Sequence, residues 1–142
     1  MIEIKVDKKN KEIQIDLGKH IKYVPKLIEQ ALKDIGNDVV EETRSLIKSG
    51  DKTGRKYSIK GKKHTASAPG EAPANITGKL AKSANYAVRN AQEMSIGESE
   101  SYAVYLETGT KKKIAPRPHL IAAINKKAGD TYNTLEKALE KL

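Results

Sequence analysis

The stretch ANYAVRNAQEMSIGESESYAVYL, residues 84–106, decides the fold class. Ala84, Tyr86 and Val88, then Met94 and Ile96, then Tyr102, Val104 and Leu106 recur at period two, with polar breaks at 90–92 and 97–101. Alternation of this kind puts one apolar face on an extended chain, so each run reads as a strand and the three together as an antiparallel meander. Glu93, Glu98, Glu100 and Glu107 fall at strand ends and turns, where carboxylates ordinarily meet solvent and discourage strand-to-strand association.

Upstream, residues 22–48 carry Val24, Leu27, Ile28, Ala31, Leu32, Ile35, Val39, Leu46 and Ile47 at the spacing of one helix face. A long amphipathic helix is expected, with Pro25 in its first turn, Gly36 as a weak point and Ser49-Gly50 as its stop. Ahead of it, Ile2, Ile4 and Val6 answer Ile13, Ile15 and Leu17 across a polar stretch, which predicts a β-hairpin. Downstream, Pro116 and Pro118 lead into a last helix bearing Leu120, Ile121, Ile124, Ala128, Tyr132, Leu135, Leu139 and Leu142. The expected class is α+β: an antiparallel sheet of the N-terminal hairpin plus the meander, packed with a long N-terminal and a C-terminal helix. The chain, 1–142, reads as one domain.

Residues 50–78 break the periodicity with five glycines, two prolines and many lysines, and read as a long Gly/Pro/Lys-rich arm. The 142 residues carry a formal charge of +9. Residues 51–66 account for net +5 of it, through Lys52, Arg55, Lys56, Lys60, Lys62 and Lys63 against Asp51, and Lys111, Lys112 and Lys113 add three more. The excess therefore sits in two short basic loops. Phosphates or an acidic protein surface would both suit them, although Tyr57 alone provides little base stacking.

With no cysteine there is no disulfide or thiolate metal site, and no phosphate-cradling glycine motif occurs. The three histidines, His20, His64 and His119, match no metal-ligand spacing and read as surface residues; a ribonuclease using His64 or His119 with a lysine is the enzymatic rival. There is no Phe or Trp, so aliphatic side chains must fill the core. Neither a signal peptide nor a membrane-length apolar run is evident, so a soluble chain made in the cytoplasm is expected; the missing ligand and phosphate motifs lead to the further expectation of no cofactor, metal or catalysis.

Two strings are more specific: HTASAPGEAPANITGKLAKS at 64–83 and YAVYLETGTKKKIAPRPHL at 102–120. Together they resemble the tail-completion or neck protein family, small minor virion proteins of long-tailed double-stranded DNA bacteriophages. The likeness spans about 54–123. The Ala-Ser-x-Pro-Gly-Glu-x-Pro-Ala segment is Ala66 to Ala74, and Thr77, Gly78 and Leu80 follow it as Thr-Gly-x-Leu. Tyr102, Tyr105, Glu107, Gly109 and Thr110 form the second motif, and Arg117-Pro118 opens the last helix. His119 stands where the family usually has an aromatic, and Ile76 where an acidic residue commonly precedes Thr-Gly.

The resemblance implies a virion structural protein in the neck at the tail top, present in the host cytoplasm during assembly. It implies a homo-oligomeric ring, expected to be hexameric, joining the head-closure or connector protein to the tail terminator and tail tube proteins. Genome DNA would pass through without specific binding, and no membrane is involved. The tail terminator itself and a small basic nucleic-acid-binding protein are the alternatives. Candidate partner contacts are Lys60, Lys62, Lys63, Ala68, Pro69, Gly70, Glu71, Pro73, Lys111, Lys112, Lys113 and Arg117. Thr77, Gly78, Leu80, Tyr102, Tyr105, Glu107, Gly109, Thr110 and Pro118 are expected to shape the fold, Gly109 through a positive φ at a strand end and Pro118 as the first helical residue. A conduit that gripped phosphates would retard ejection, so the lysine arm is expected to face protein or the outer rim.

Overall fold

The structure is a computed structural model; it describes the backbone of residues 3–7, 12–16 and 18–141 and the side chains of 22–141. Ile2, Leu17, Leu142 and the side chain of His20 lie outside the described residues. The class is α+β. Strands β1 (Glu3–Asp7) and β2 (Glu12–Asp16) pair antiparallel with Ile4 opposite Ile15 and Val6 opposite Ile13, the expected hairpin.

Helix α1 (Gly18–Lys48) is the spine. Ala31, Ile35, Val39, Val40, Thr43 and Ile47 form its buried stripe at three- to four-residue spacing. Thr43 is the polar member, and its hydroxyl donates to the Val39 carbonyl at 2.8 Å, which removes the cost of burying it. The helix starts earlier than its apolar pattern suggests, so Pro25 sits inside it rather than in the first turn. That forfeits one backbone hydrogen bond, a loss a helix packed along its length tolerates.

Strands β3 (Lys56–Ile59) and β4 (Lys62–Thr65) form a second hairpin inside the stretch expected to be an irregular arm. The two connecting residues, Lys60 and Gly61, both have positive φ, 48° and 78°, the backbone twist that closes a two-residue hairpin. Short helix α2 (Lys79–Ser83) then buries Leu80 and Ala81. Strands β5 (Ala84–Asn90) and β6 (Glu93–Glu98) pair antiparallel with an irregularity between Val88 and Asn90.

The third meander strand is replaced by helix α3 (Ala103–Thr108). Residues 102–106 satisfy period two on paper, but Ala103 and Leu106 are three apart and both turn inward, onto Ile47, Leu80 and Ala81 of α1 and α2. Val104 and Tyr105 are left exposed. Helix α4 (Leu120–Leu139) packs against α1, where Ile35, Val39 and Ala123 form a second apolar cluster with Met94, Ile96, Leu120 and Leu135. Pro118 precedes this helix by two residues instead of opening it, and His119 is its N-cap.

Gly36 is a notch and not a weak point. A Cβ there would lie 2.5 Å from the ring of Tyr86 on β5, so the missing side chain is what lets strand and helix meet. The core is otherwise aliphatic, and among the described residues no helix is long and apolar enough to cross a membrane.

Candidate functional site

Charge is concentrated in two places with opposite surroundings. The first lies where the end of β6, α3 and the start of α4 converge. His119 is fully buried, with Nε2 2.8 Å from Glu98 Oε2, and Nδ1 2.9 Å from both the Arg117 carbonyl and Glu107 Oε2. The Glu98 and Glu107 side chains are themselves only 4% and 11% exposed. Burial opposes the imidazolium, but the Glu98 hydrogen bond, the Arg117 carbonyl and the charges of Glu98 and Glu107 outweigh it, so the His119 pKa is raised above its ordinary 6.5.

Glu107 has a second task. Its carboxylate accepts hydrogen bonds from the backbone N–H groups of His119, Leu120 and Ile121 at 3.0, 3.1 and 3.0 Å. Three of the orphan donors at the start of α4 are satisfied by one anion placed at the positive end of the helix dipole. The expectations of solvated carboxylates and a surface histidine therefore fail at Glu98, Glu107 and His119.

Arg117 continues this junction. Its guanidinium donates to Ser67 Oγ at 2.8 Å, to the Ser67 carbonyl at 3.1 Å and to the Ala115 carbonyl at 2.9 Å. The Gly70 N–H donates to the Pro116 carbonyl at 2.9 Å. Glu71 holds the same segment from the other side, accepting from the Thr53 N–H, the Ala68 N–H and the Thr53 hydroxyl. The Thr53 hydroxyl leads these causes and, with the two backbone donors and Lys52, brings the Glu71 pKa down to about 2. Arg117 and Glu71 are thus hydrogen-bonded inside the chain while half-buried, and Pro73 is buried; Pro69 and Gly70 are exposed and Ala68 half-buried.

The second place is β3–β4. Arg55, Lys56, Lys60, Lys62 and Lys63 are exposed, and none takes part in an ion pair among the described residues. His64 stacks on Tyr57 across the two strands, with ring centroids 5.8 Å apart. Lys111, Lys112 and Lys113 lie exposed in a separate turn held by Thr110 Oγ1, which accepts from the N–H groups of Lys113 and Ile114.

Among the motif residues, Leu80 is buried, Gly78 caps α2 with φ 77° and Thr77 Oγ1 accepts from the Lys79 N–H. Gly109 has φ 74°, as expected, but at the end of a helix, and a Cβ there would lie 2.8 Å from the Ile114 carbonyl oxygen. Tyr102 and Tyr105 are exposed and do not pack the fold.

Chemically, the buried junction is a closed strut. Both imidazole nitrogens are engaged and no ring surface is exposed, so His119 has no open side toward a substrate. Ser67, Glu98 and His119 escaped the sequence reasoning. Only Glu98 left a signal: it continues the inward alternation of Met94 and Ile96, and a carboxylate in that register calls for a buried partner. Among the described residues no group of three or more His, Cys, Asp or Glu is arranged to hold a metal. Comparison with family models, curated proteins and solved structures found no match to this chain.

Proposed function

We propose that the chain is a non-enzymatic structural subunit of a phage virion, a ring component of the neck that joins the head connector to the tail. One observation carries the reading beyond the motif resemblance: the two motif strings fold onto each other. Ser67 and Gly70 of the first are tied to Arg117 and Pro116 of the second, and Glu107 of the second starts α4. Residues that look like a family signature thus build one junction, which supports a structural role for them.

Val104 and Tyr105 on α3 and Ile121 and Ile124 on α4 are 57, 53, 55 and 42% exposed. Large apolar side chains left exposed on α3 and α4 suit a subunit that assembles with others. A terminator would carry the same features and differs in where it sits, capping the tail tube rather than lying above it.

The test is mass spectrometry and negative-stain imaging of particles made with and without the gene in the phage or prophage that encodes it. The neck reading expects the protein in particles, and heads and tails that fail to join in its absence. Intact, infective particles lacking the protein would end that reading.

A further inference from the structure

We propose that the β3–β4 hairpin is a sequence-independent binding element for double-stranded DNA, inserted into the major groove and held by phosphates. The proposal does not rest on the virion reading, and it departs from the expectation that the lysine arm faces protein.

The first reason is the absence of a counter-ion among the described residues. From Lys52 to Gly70 the chain has no acidic residue, and five exposed cations of the hairpin have no ion-pair partner among the described residues. Elsewhere Arg44 pairs with Glu41, Arg89 with Glu93 and Lys126 with Glu42; other exposed lysines, Lys111, Lys112 and Lys113 among them, are also unpaired among the described residues, and the hairpin stands apart by packing five such cations into nine residues with no acidic residue between them. Unpaired cations crowded on one small element repel one another, a cost that an external polyanion removes.

The second reason is how the cations are distributed. Side chains alternate between the faces of a strand, and the pairing of Ser58 with Lys63 and Ile59 with Lys62 fixes the assignment. Lys56 and Lys63 share one face, Lys62 lies on the other with Tyr57 and His64, and Lys60 is in the turn. An acidic protein surface would neutralise one face of such a ribbon. A groove walled by two phosphate backbones meets both faces and the tip at once. The B-form major groove admits a two-stranded ribbon and is roughly 8.5 Å deep, and a four-residue strand at about 3.3 Å per residue reaches that far.

The third reason is the turn itself. Lys60 holds φ 48°, a conformation that a lysine adopts at some cost and that Asn or Gly would take more easily. Its presence places a cation at the leading point of the ribbon. The hairpin offers no Asn or Gln, and its one arginine, Arg55, lies at the base outside the paired strands, so the planar bidentate donors that read bases best are missing from the ribbon, and flexible lysines, strongest as phosphate contacts, dominate it. Phosphate contact without sequence preference follows. Duplex RNA, whose major groove is deep and narrow, should bind less well.

The experiment is fluorescence anisotropy of the full chain with a short labelled DNA duplex of arbitrary sequence, repeated with duplex RNA and with polyglutamate. With up to five phosphates contacted, affinity should fall by about 10²- to 10³-fold between about 50 and 200 mM salt. The K60E/K62E/K63E variant should lose roughly 100-fold or more at the lower salt, and its salt slope should lessen by about 3; K60Q/K62Q/K63Q should lessen it similarly. K111E/K112E/K113E, which makes the same change of net charge elsewhere, should keep the wild-type slope. All variants should share the wild-type circular dichroism. No DNA binding by the wild type overturns the proposal, as do equal losses from the two lysine clusters, or binding of polyglutamate or duplex RNA as tight as that of duplex DNA.

Discussion

Glu98, His119 and Glu107 put three ionisable groups in an almost water-free junction, each within hydrogen-bond reach of another, while the β3–β4 hairpin puts five cations in water with none of them paired among the described residues. The contrast shows where charge holds this fold together. Removed from water, a charge must find a partner inside the chain or destabilise it. Kept in water it need not, and it stays free for something outside.

The comparison breaks most sharply at His119. His119→Ala would leave two buried carboxylates facing each other, and a loss of about 3–5 kcal/mol in urea unfolding is expected; a loss below about 1 kcal/mol would mean the junction is not the strut described. Arg117→Ala should cost about 2 kcal/mol, since it strips charge-assisted bonds from Ser67 and Ala115, and hydrogen exchange should rise at Gly70 and the start of α4. Gly36→Ala adds a carbon into the Tyr86 ring; despite the better helix propensity of Ala, a net loss of about 1–2 kcal/mol is expected from the thermal midpoint.

Titration separates the regions further. The His119 pKa is raised in the fold, so its contribution is complete below about 6.5 and is lost as pH rises through the raised value. Glu71 runs the other way: its contribution is present above 4.5 and is lost as pH falls toward about 2. Urea midpoints across pH should therefore fall on the alkaline side for the wild type and not for His119→Gln. The smallest effect belongs to the hairpin. K60Q/K62Q/K63Q should change stability by less than about 0.5 kcal/mol, and a larger loss would show that the lysines hold the fold rather than await a partner.

Much of the scaffold was legible in the residues. Period two at 3–7 and 12–16 marks the first hairpin, and three- to four-residue spacing marks α1 and α4, because each repeats over enough residues to identify its period. The aliphatic core follows from the lack of Phe and Trp. Residues 102–106 defeated the same reasoning because five residues fit both periods; Ala103 and Leu106 meeting Ile47 and Leu80 settled it. The second hairpin was hidden as well, since its apolar content is only Tyr57 and Ile59 and its signal lay in the Lys60-Gly61 turn.

What the sequence by itself determined is therefore the α+β class, the two long helices, the first hairpin and the presence of two basic clusters, all properties of local periodicity and composition. Only the tertiary structure decided which charges are structural. Glu98, Glu107 and His119 are separated by 9 to 21 residues along the chain, and nothing in their own neighbourhoods tells a carboxylate at a sheet edge from one sealed against an imidazole. That difference is made by the elements that close over them, where the end of β6, α3 and the start of α4 converge on His119.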